Sequence, residues 1–317
     1  TENVSIAGRI VFLRKMGKLS FIRIRDIEDS IQISFQMDLL GEDNYKFFKS
    51  NIDVGDFIGV CGEMVTTQTG EKTLRAHSFT FLGKALRPLP EKFHGLTDQE
   101  MKYRSRYVDL IMNEDSRERF MFRSKLIWEI RKYLNGKGYT EIETPILNNK
   151  ASGAMARPFV THHNALDIDL YLRIAPETYL KRAIIGGFTK VYEFARCFRN
   201  EGMDTTHLQD FTMLEGYGAY MNYRDNMKFL REMIQEVVMN LFGKLEIKIN
   251  GEVVDLSGEW ESVTMRDLIL RYCPIDIKEA NTKEKLLEKI KIEKLDIDSE
   301  VPLESLGYGN LVDQLYK

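Results

Sequence analysis

Hydrophobic and polar residues alternate in short runs over the first part of the chain. The pattern predicts strands at residues 4–13, 19–25, 30–37, 56–66 and 72–82, punctuated by Gly17, Gly41, Gly55 and Thr69-Gly70. An apolar cluster around Tyr45 to Phe48 has helical spacing and falls between the third and fourth strands. Ala85-Leu-Arg-Pro-Leu-Pro90 then breaks regular structure, because each proline restricts both its own backbone and that of its predecessor. A domain boundary is expected there, with residues 1–84 as a first domain, 85–115 as a linker or hinge, and 116–317 as a second domain.

Five short strands with a helix after the third follow the order of an OB-fold β-barrel. Beyond the break the period changes. A linker helix is expected around Gln99 to Ile111, followed by a stronger helix from Ser116 with Asp115 and Glu118 as a capping pair. Phe122, Leu126, Ile130, Tyr133 and Leu134 form its apolar face, and Gly136 and Gly138 end it. After Tyr139 to Ile142, a proline at Pro145 and a Gly/Ala-rich loop through Ser152 to Ala156, Leu170 to Ile174 reads as a strand, and Pro176 starts a helix that Gly186-Gly187 terminates. Residues 190–201 and 211–221 read as an antiparallel hairpin covered by a helix from Asn222 to Phe242. The fold class is α+β, a barrel followed by a mixed domain on an antiparallel sheet. Residues 276–300 alternate lysines and acids around Leu286, Leu287 and Ile290 and read as a solvated helical face.

Composition changes this picture little. With 29% charged and 43% hydrophobic residues among 317, disordered and collagen-like classes are excluded. The 45 basic and 48 acidic residues leave a formal charge of −3, so any nucleic-acid contact must come from local patches. Cys61, Cys197 and Cys273 are far apart and fit no metal or disulfide spacing, which points to a reducing, cytoplasmic setting. No apolar run approaches the roughly 18 residues of a membrane span, and no signal-peptide pattern opens the chain. The chain starts at Thr1 without a methionine and ends at Lys317 in a helical pattern without a stop signal, so it reads as cut from something longer.

The hairpin carries the chemistry. Period two puts Arg199 and Glu201 on one face of its first strand and Phe211, Met213, Glu215 and Tyr217 on one face of its second, with Tyr192, Phe194 and Phe198 behind as core. Such a face suits a ligand that carries both charge and an aromatic ring. Phe198-Arg-Asn-Glu201, a loop with His207, and Phe211-Thr-Met-Leu-Glu215 together resemble motif two of the class II aminoacyl-tRNA synthetases. Lys137-Gly-Tyr-Thr-Glu-Ile-Glu-Thr-Pro145 is similar to motif one, which forms the dimer interface in that family. With an OB-like domain upstream, the pair resembles the subclass that handles lysine, aspartate and asparagine. Gly153-Ala-Met-Ala-Arg-Pro-Phe159, Thr161-His-His-Asn-Ala165, Arg173-Ile-Ala-Pro-Glu-Thr-Tyr-Leu-Lys181 and Lys84-Ala-Leu-Arg-Pro-Leu-Pro90 are similar to its lysyl-tRNA synthetases.

The resemblance implies a lysine-tRNA ligase that works as a cytoplasmic homodimer through the motif one region, with ATP as substrate, Mg²⁺, L-lysine and lysine tRNA. Lysine would attack the α-phosphate of ATP, and the adenylate would then acylate the 3′ end of the tRNA. Arg199 is implied as the catalytic residue, bridging the lysine carboxylate and the α-phosphate. Glu201 and Phe211 are implied to hold adenine, His207 the ATP phosphates, Glu215 and Tyr217 the lysine side chain, and Glu177 with Gly153 the α-amino group. Phe21 and Gln32 are implied as anticodon-binding residues. The chain departs from the family at Leu208, where lysyl members carry asparagine, and at Ser78, where many carry glutamate. Motif three is not found, and the acidic Mg²⁺ ligands are expected beyond Lys317, so these residues alone are expected to be inactive. The alternatives are a non-catalytic anticodon-binding fragment and an aspartyl or asparaginyl ligase; Arg173 to Glu177 and Glu215 speak against the latter.

Overall fold

The computed structural model describes residues 3–27, 29–89, 96–204, 206–297, 299 and 301–317. Thr1, where the chain starts, Pro90, the end of the expected break, and Thr205 in the hairpin loop lie outside the described residues. Backbone contacts group the chain into two compact units, Thr1–Arg123 and Ser124–Lys317.

In the first unit, β1 (Asn3–Lys15), β2 (Leu19–Arg25), β3 (Ser30–Gln36), β4 (Phe57–Thr66) and β5 (Lys72–Gly83) close into a barrel of order β1-β2-β3-β5-β4. Only the β3–β5 pairing is parallel. Alternate residues point inward, so Ile10, Ile22, Ile24, Ile33, Phe35, Ile58, Val60 and Leu74 fill the interior. Between β3 and β4 run α1 (Met37–Leu40) and α2 (Glu42–Asn51), and α2 plugs the barrel with Tyr45 and Phe48. The Phe48 ring lies 4.3 Å from that of Phe35. Closure needs a sharp bend at the Cys61/Gly62 bulge, where a Cβ on Gly62 would lie 2.0 Å from the Arg75 carbonyl oxygen.

Asp56 locks the base of β4. Its buried carboxylate accepts from Lys84 Nζ at 2.9 Å and from the Ala85 and Asp53 amides at 2.8 Å each. Burial by itself would raise this carboxyl, but the Ala85 amide, the Lys84 ammonium and the Asp53 amide together hold it below the ordinary value. The lowered folded value means that the stabilisation is fully present above the unfolded pKa of about 3.9 and is lost as the pH falls through the folded value. Asp56→Asn should therefore cost about 1–3 kcal/mol at neutral pH and much less in acid, as read from denaturant unfolding at a series of pH values.

The expected single linker helix is two, α3 (Gln99–Arg104) and α4 (Arg106–Met112), broken at Ser105. Asp98 caps α3 by accepting from the Met101 amide. The buried Asp109 then accepts from Arg106 at 2.5 Å, Asn113 at 2.6 Å and Ser116 at 3.0 Å, tying α4 to the start of α5 (Glu114–Gly136). Hence α5 begins two residues before Ser116, and Asp115 lies in its first turn, not at a cap. Phe122, expected in the apolar face, is 40% exposed; the buried seam of α5 starts only near Ile130 and runs to Leu134.

The second unit is built on β6 (Thr140–Glu141), β10 (Lys190–Phe198) and β11 (Asp210–Gly218) in the order β11-β10-β6. A second sheet holds β7 (Leu147–Asn148), β8 (Val160–His163) and β9 (Ile168–Leu172), after which comes α6 (Glu177–Ile185). On the rear face of the main sheet, Tyr192, Phe194 and Leu214 pack against Leu134, Tyr139, Phe229 and Met233. Phe229 and Met233 come from α7 (Tyr223–Phe242), which an Asn222–Asp225 capping box starts and Gly243, at φ +70°, stops. The hairpin of β12 (Glu246–Ile249) and β13 (Glu252–Asp255) follows. Then α8 (Met265–Tyr272), α9 (Lys283–Ile292) and α10 (Tyr308–Tyr316) share a small core of Ile269, Leu286, Ile290 and Leu311. The expected solvated face at 276–300 is thus the outer side of α9; its inner side is buried.

Candidate functional site

The β10–β11 register fixes the front face of the sheet. Val191 lies opposite Tyr217, Glu193 opposite Glu215, Ala195 opposite Met213 and Cys197 opposite Phe211, and directly paired residues share a face. Phe211, Met213, Glu215 and Tyr217 therefore stand together, as their spacing predicts. The first strand is shorter than expected. It ends at Phe198, so Arg199 and Glu201 lie on the loop beyond it, because the chain turns away once the Arg199 amide has bonded to the Gln209 carbonyl at 2.8 Å.

That last rung keeps Arg199 on the front. Its guanidinium carbon is 5.1 Å from the centroid of the Phe211 ring, and its buried Nε finds no hydrogen-bond partner among the described residues. A buried guanidinium nitrogen without an acceptor is costly, and an anion would satisfy it. Glu201 is tied elsewhere. Its carboxylate accepts from the Arg157 amide at 3.1 Å while the Asn200 amide donates to the Arg157 carbonyl at 2.7 Å, which fastens the Gly/Ala-rich loop to the hairpin. His207 is not joined to Arg199. Its Nδ1 lies 2.7 Å from Asp204, whose carboxyl the Thr206 amide, the Thr206 hydroxyl and His207 hold well below the usual range. Leu208 is 62% exposed.

Acids gather at the other end of the face. The Tyr217 hydroxyl donates to Glu215 Oε2 at 3.1 Å. Burial raises the Glu215 carboxyl, the Tyr217 bond opposes that rise, and the charges of Glu177 and Glu193 add to it, which places the three acids in one electrostatic field. Burial and the same Glu215 charge raise the Tyr217 phenol. Glu177, in the first turn of α6, is ion-paired with Lys181. Gly153 has φ +91°, and a Cβ there would come 3.1 Å from the Cβ atoms of both Ala175 and Glu177. Only glycine lets this loop close on the start of α6.

Glu193 and Arg173 were not assigned a role from the sequence. Arg173 Nη1 donates to Glu193 Oε1 at 2.6 Å and to Thr144 Oγ1 at 2.9 Å, its Nε donates to the Arg196 carbonyl at 2.8 Å, and Thr144 donates to Glu193 Oε2 at 2.7 Å. Both side chains are about 5% exposed, at 5% and 4%. The available signal was an acid inside the otherwise apolar run Val191-Tyr-Glu-Phe-Ala195, since a buried charge must be paired. Cys197, on the same face, has its thiol pushed up to about 11, chiefly by burial, and so supplies no nucleophile.

In the barrel, Phe21 pairs with Ser34 and Arg23 with Gln32, so Phe21 and Gln32 share one face of adjacent strands. Gln32 Nε2 donates to Thr73 Oγ1 at 2.9 Å, and Phe21 is half-buried.

Residues 98–301 match the family described as tRNA synthetases class II (D, K and N), and residues 4–82 match the OB-fold nucleic acid binding domain. Similar proteins include a "Lysine--tRNA ligase" of Enterococcus faecalis, 46% identical over 99% of this chain and 62% of the relative. Another, from Staphylococcus epidermidis, is 45% identical over 100% of this chain and 63% of the relative. One from Lactococcus lactis subsp. cremoris is 48% identical over 96% of this chain and 61% of the relative. The chain thus spans about 62% of the length of the relatives it matches. With the barrel matched at one end and the acid-and-arginine sheet face inside the longer match, the chain belongs to the class II tRNA synthetases of the aspartate, lysine and asparagine group.

Proposed function

We propose that this chain forms the anticodon-binding and motif two part of a lysine-tRNA ligase. The observation that carries this reading is the separation of charge along the site: Arg199, whose buried Nε has no partner among the described residues, at one end, and Glu215 and Tyr217 on the sheet with Glu177 from α6 at the other. An α-amino acid with a second ammonium matches that order. Its two ammonium groups meet the carboxylates, and its carboxylate meets the arginine. An aspartate side chain would instead be repelled by the same acids.

In the reaction so proposed, an oxygen of the lysine carboxylate attacks the α-phosphorus of ATP and pyrophosphate leaves; a 3′-terminal tRNA hydroxyl then displaces AMP from the adenylate. The protein supplies alignment and charge. Arg199 would bridge the carboxylate and α-phosphate, with Phe211 and Glu201 at adenine, His207 at the phosphates, and Gly153 with Glu177 at the α-amino group. The front face fits the nucleotide's anionic group, but Mg²⁺ has no evident seat. Among the described residues no cluster of three or more His, Cys, Asp or Glu is arranged to hold a metal, and Glu177 and Glu193 are occupied by Lys181 and Arg173. Residues 1–84 would bind the lysine anticodon through Phe21 and Gln32, and residues 116–317 would supply the catalytic part and, through 137–145, the homodimer contact in the cytoplasm.

Titration calorimetry of this chain should show L-lysine binding, with aspartate and asparagine much weaker. Glu215→Ala should weaken lysine binding at least about tenfold, because it leaves a desolvated ammonium without its acid. Preference for aspartate, or lysine affinity unchanged in Glu215→Ala, would sink the assignment.

A further inference from the structure

Lys181, exposed on α6, borders the acid cluster. It lies one helical turn after Glu177 and pairs with that carboxylate, while its ammonium is 5.6 Å from the centroid of the Tyr217 ring. Tyr217 in turn donates to Glu215. A Glu–Lys pair spaced i,i+4 on a helix is a common surface feature that turns its ammonium to water. Contact with an aromatic ring on β11, a different element, is not part of that pattern, and cation–π attraction holds the ammonium over the sheet face.

We propose that Lys181 is the resident cation of the amino-acid pocket: without substrate, its ammonium fills the place between Glu177 and the Tyr217 ring, and a substrate amine binds by exchanging with it. The inference rests on the amino-acid reading of this site. Its physical basis is charge balance. The facing groups are Glu177 and Lys181 on α6, Glu193 on β10 with Arg173 just past β9, Arg199 just past β10, and Glu215 and Tyr217 on β11. Arg173 is committed to Glu193, and Arg199 stands over Phe211. Lys181 is the cation that opposes the pull of Glu177 and Glu193 on Glu215. Trading one ammonium for another keeps these acids compensated throughout. Every amino acid brings an α-ammonium to the place at Glu177, so the exchange tunes affinity, and discrimination in favour of a diamine stays with Glu215 and Tyr217.

The test is Lys181→Met in this chain, titrated with L-lysine by calorimetry in buffers of different ionisation enthalpy. With no occupant to displace, affinity should rise about three- to tenfold near pH 8. Near pH 6 binding should release more protons than in the wild type, because Glu215 without its cation moves toward the neutral form until substrate arrives. Lys181→Arg should keep wild-type affinity. Unchanged affinity and proton release in Lys181→Met would overturn the proposal in favour of a solvated helix pair; weaker binding would overturn it in favour of a direct substrate contact. If Glu215→Ala abolishes lysine binding while Lys181→Met changes nothing, this inference alone falls. If neither substitution alters lysine binding, the amino-acid reading of the site falls with it.

Discussion

Arg199→Ala will lower amino-acid activation by about 10²–10³-fold in a chain extended to the length of its relatives, the loss typical when one preorganised donor to developing charge is removed. The reason lies in what already holds the side chain. Its amide makes the last rung to Gln209, its guanidinium is stacked at 5.1 Å on Phe211, and its buried Nε has no partner among the described residues. The group is therefore positioned before any anion arrives, and little ordering remains to oppose binding. Lysine at this position should restore only part of the rate, since an ammonium cannot fork between a carboxylate and a phosphate as a guanidinium can. ATP–pyrophosphate exchange reads the effect, and a near-normal rate in Arg199→Ala would show that the charge on phosphorus is met elsewhere.

The second large effect concerns stability. Arg173→Met should destabilise the second unit by about 3–5 kcal/mol, because it leaves the Glu193 carboxylate buried without its cation. For a unit of this size that is a fall in Tm on the order of 10 °C, measurable by calorimetry. Glu193→Leu should cost a similar amount by stranding Arg173. The double variant should recover much of the loss, since removing both charges removes the desolvation penalty along with the attraction, although Thr144 and the Arg196 carbonyl lose a partner. Additive losses in the double variant would mean that the two groups are stabilised independently. The pair lies directly beside the proposed lysine pocket, so the unfolding measurement also tells whether lost binding in such variants reflects a lost fold.

The barrel was legible almost residue by residue. Its strands alternate apart from bulges such as that at Cys61/Gly62, its turns carry Gly17 and Thr69-Gly70, and one buried face leaves a single usable register. The hairpin and α7 were legible for the same reason, with Asn222 and Gly243 marking the helix ends chemically. The linker was not. Where α4 stops and α5 starts is set by the buried Asp109 carboxylate and its three donors, a side-chain arrangement without periodicity. The end of β10 was overrun by a similar cause: alternation continues through Arg199 and Glu201, but Glu201 leaves the sheet line to take the Arg157 amide, 44 residues away. In α9 Leu286 and Ile290 stood out among the mixed charges, but their burial depends on α8 and α10 arriving from distant positions.

Residue order along the chain was therefore enough to specify the barrel, the hairpin with Phe211, Glu215 and Tyr217 on one face, and the membership those motifs imply, because each depends on local periodicity or on a short contiguous run. Charge compensation at the site arose from the folded chain. Glu193 meets Arg173 across 20 residues, Lys181 reaches the Tyr217 ring from another element, and the Arg199 Nε, without a partner among the described residues, is buried because the surrounding chain encloses it. Burial is a property of the whole packing and depends on which distant segments come together, and once water is excluded each of these charges must find its partner in three dimensions.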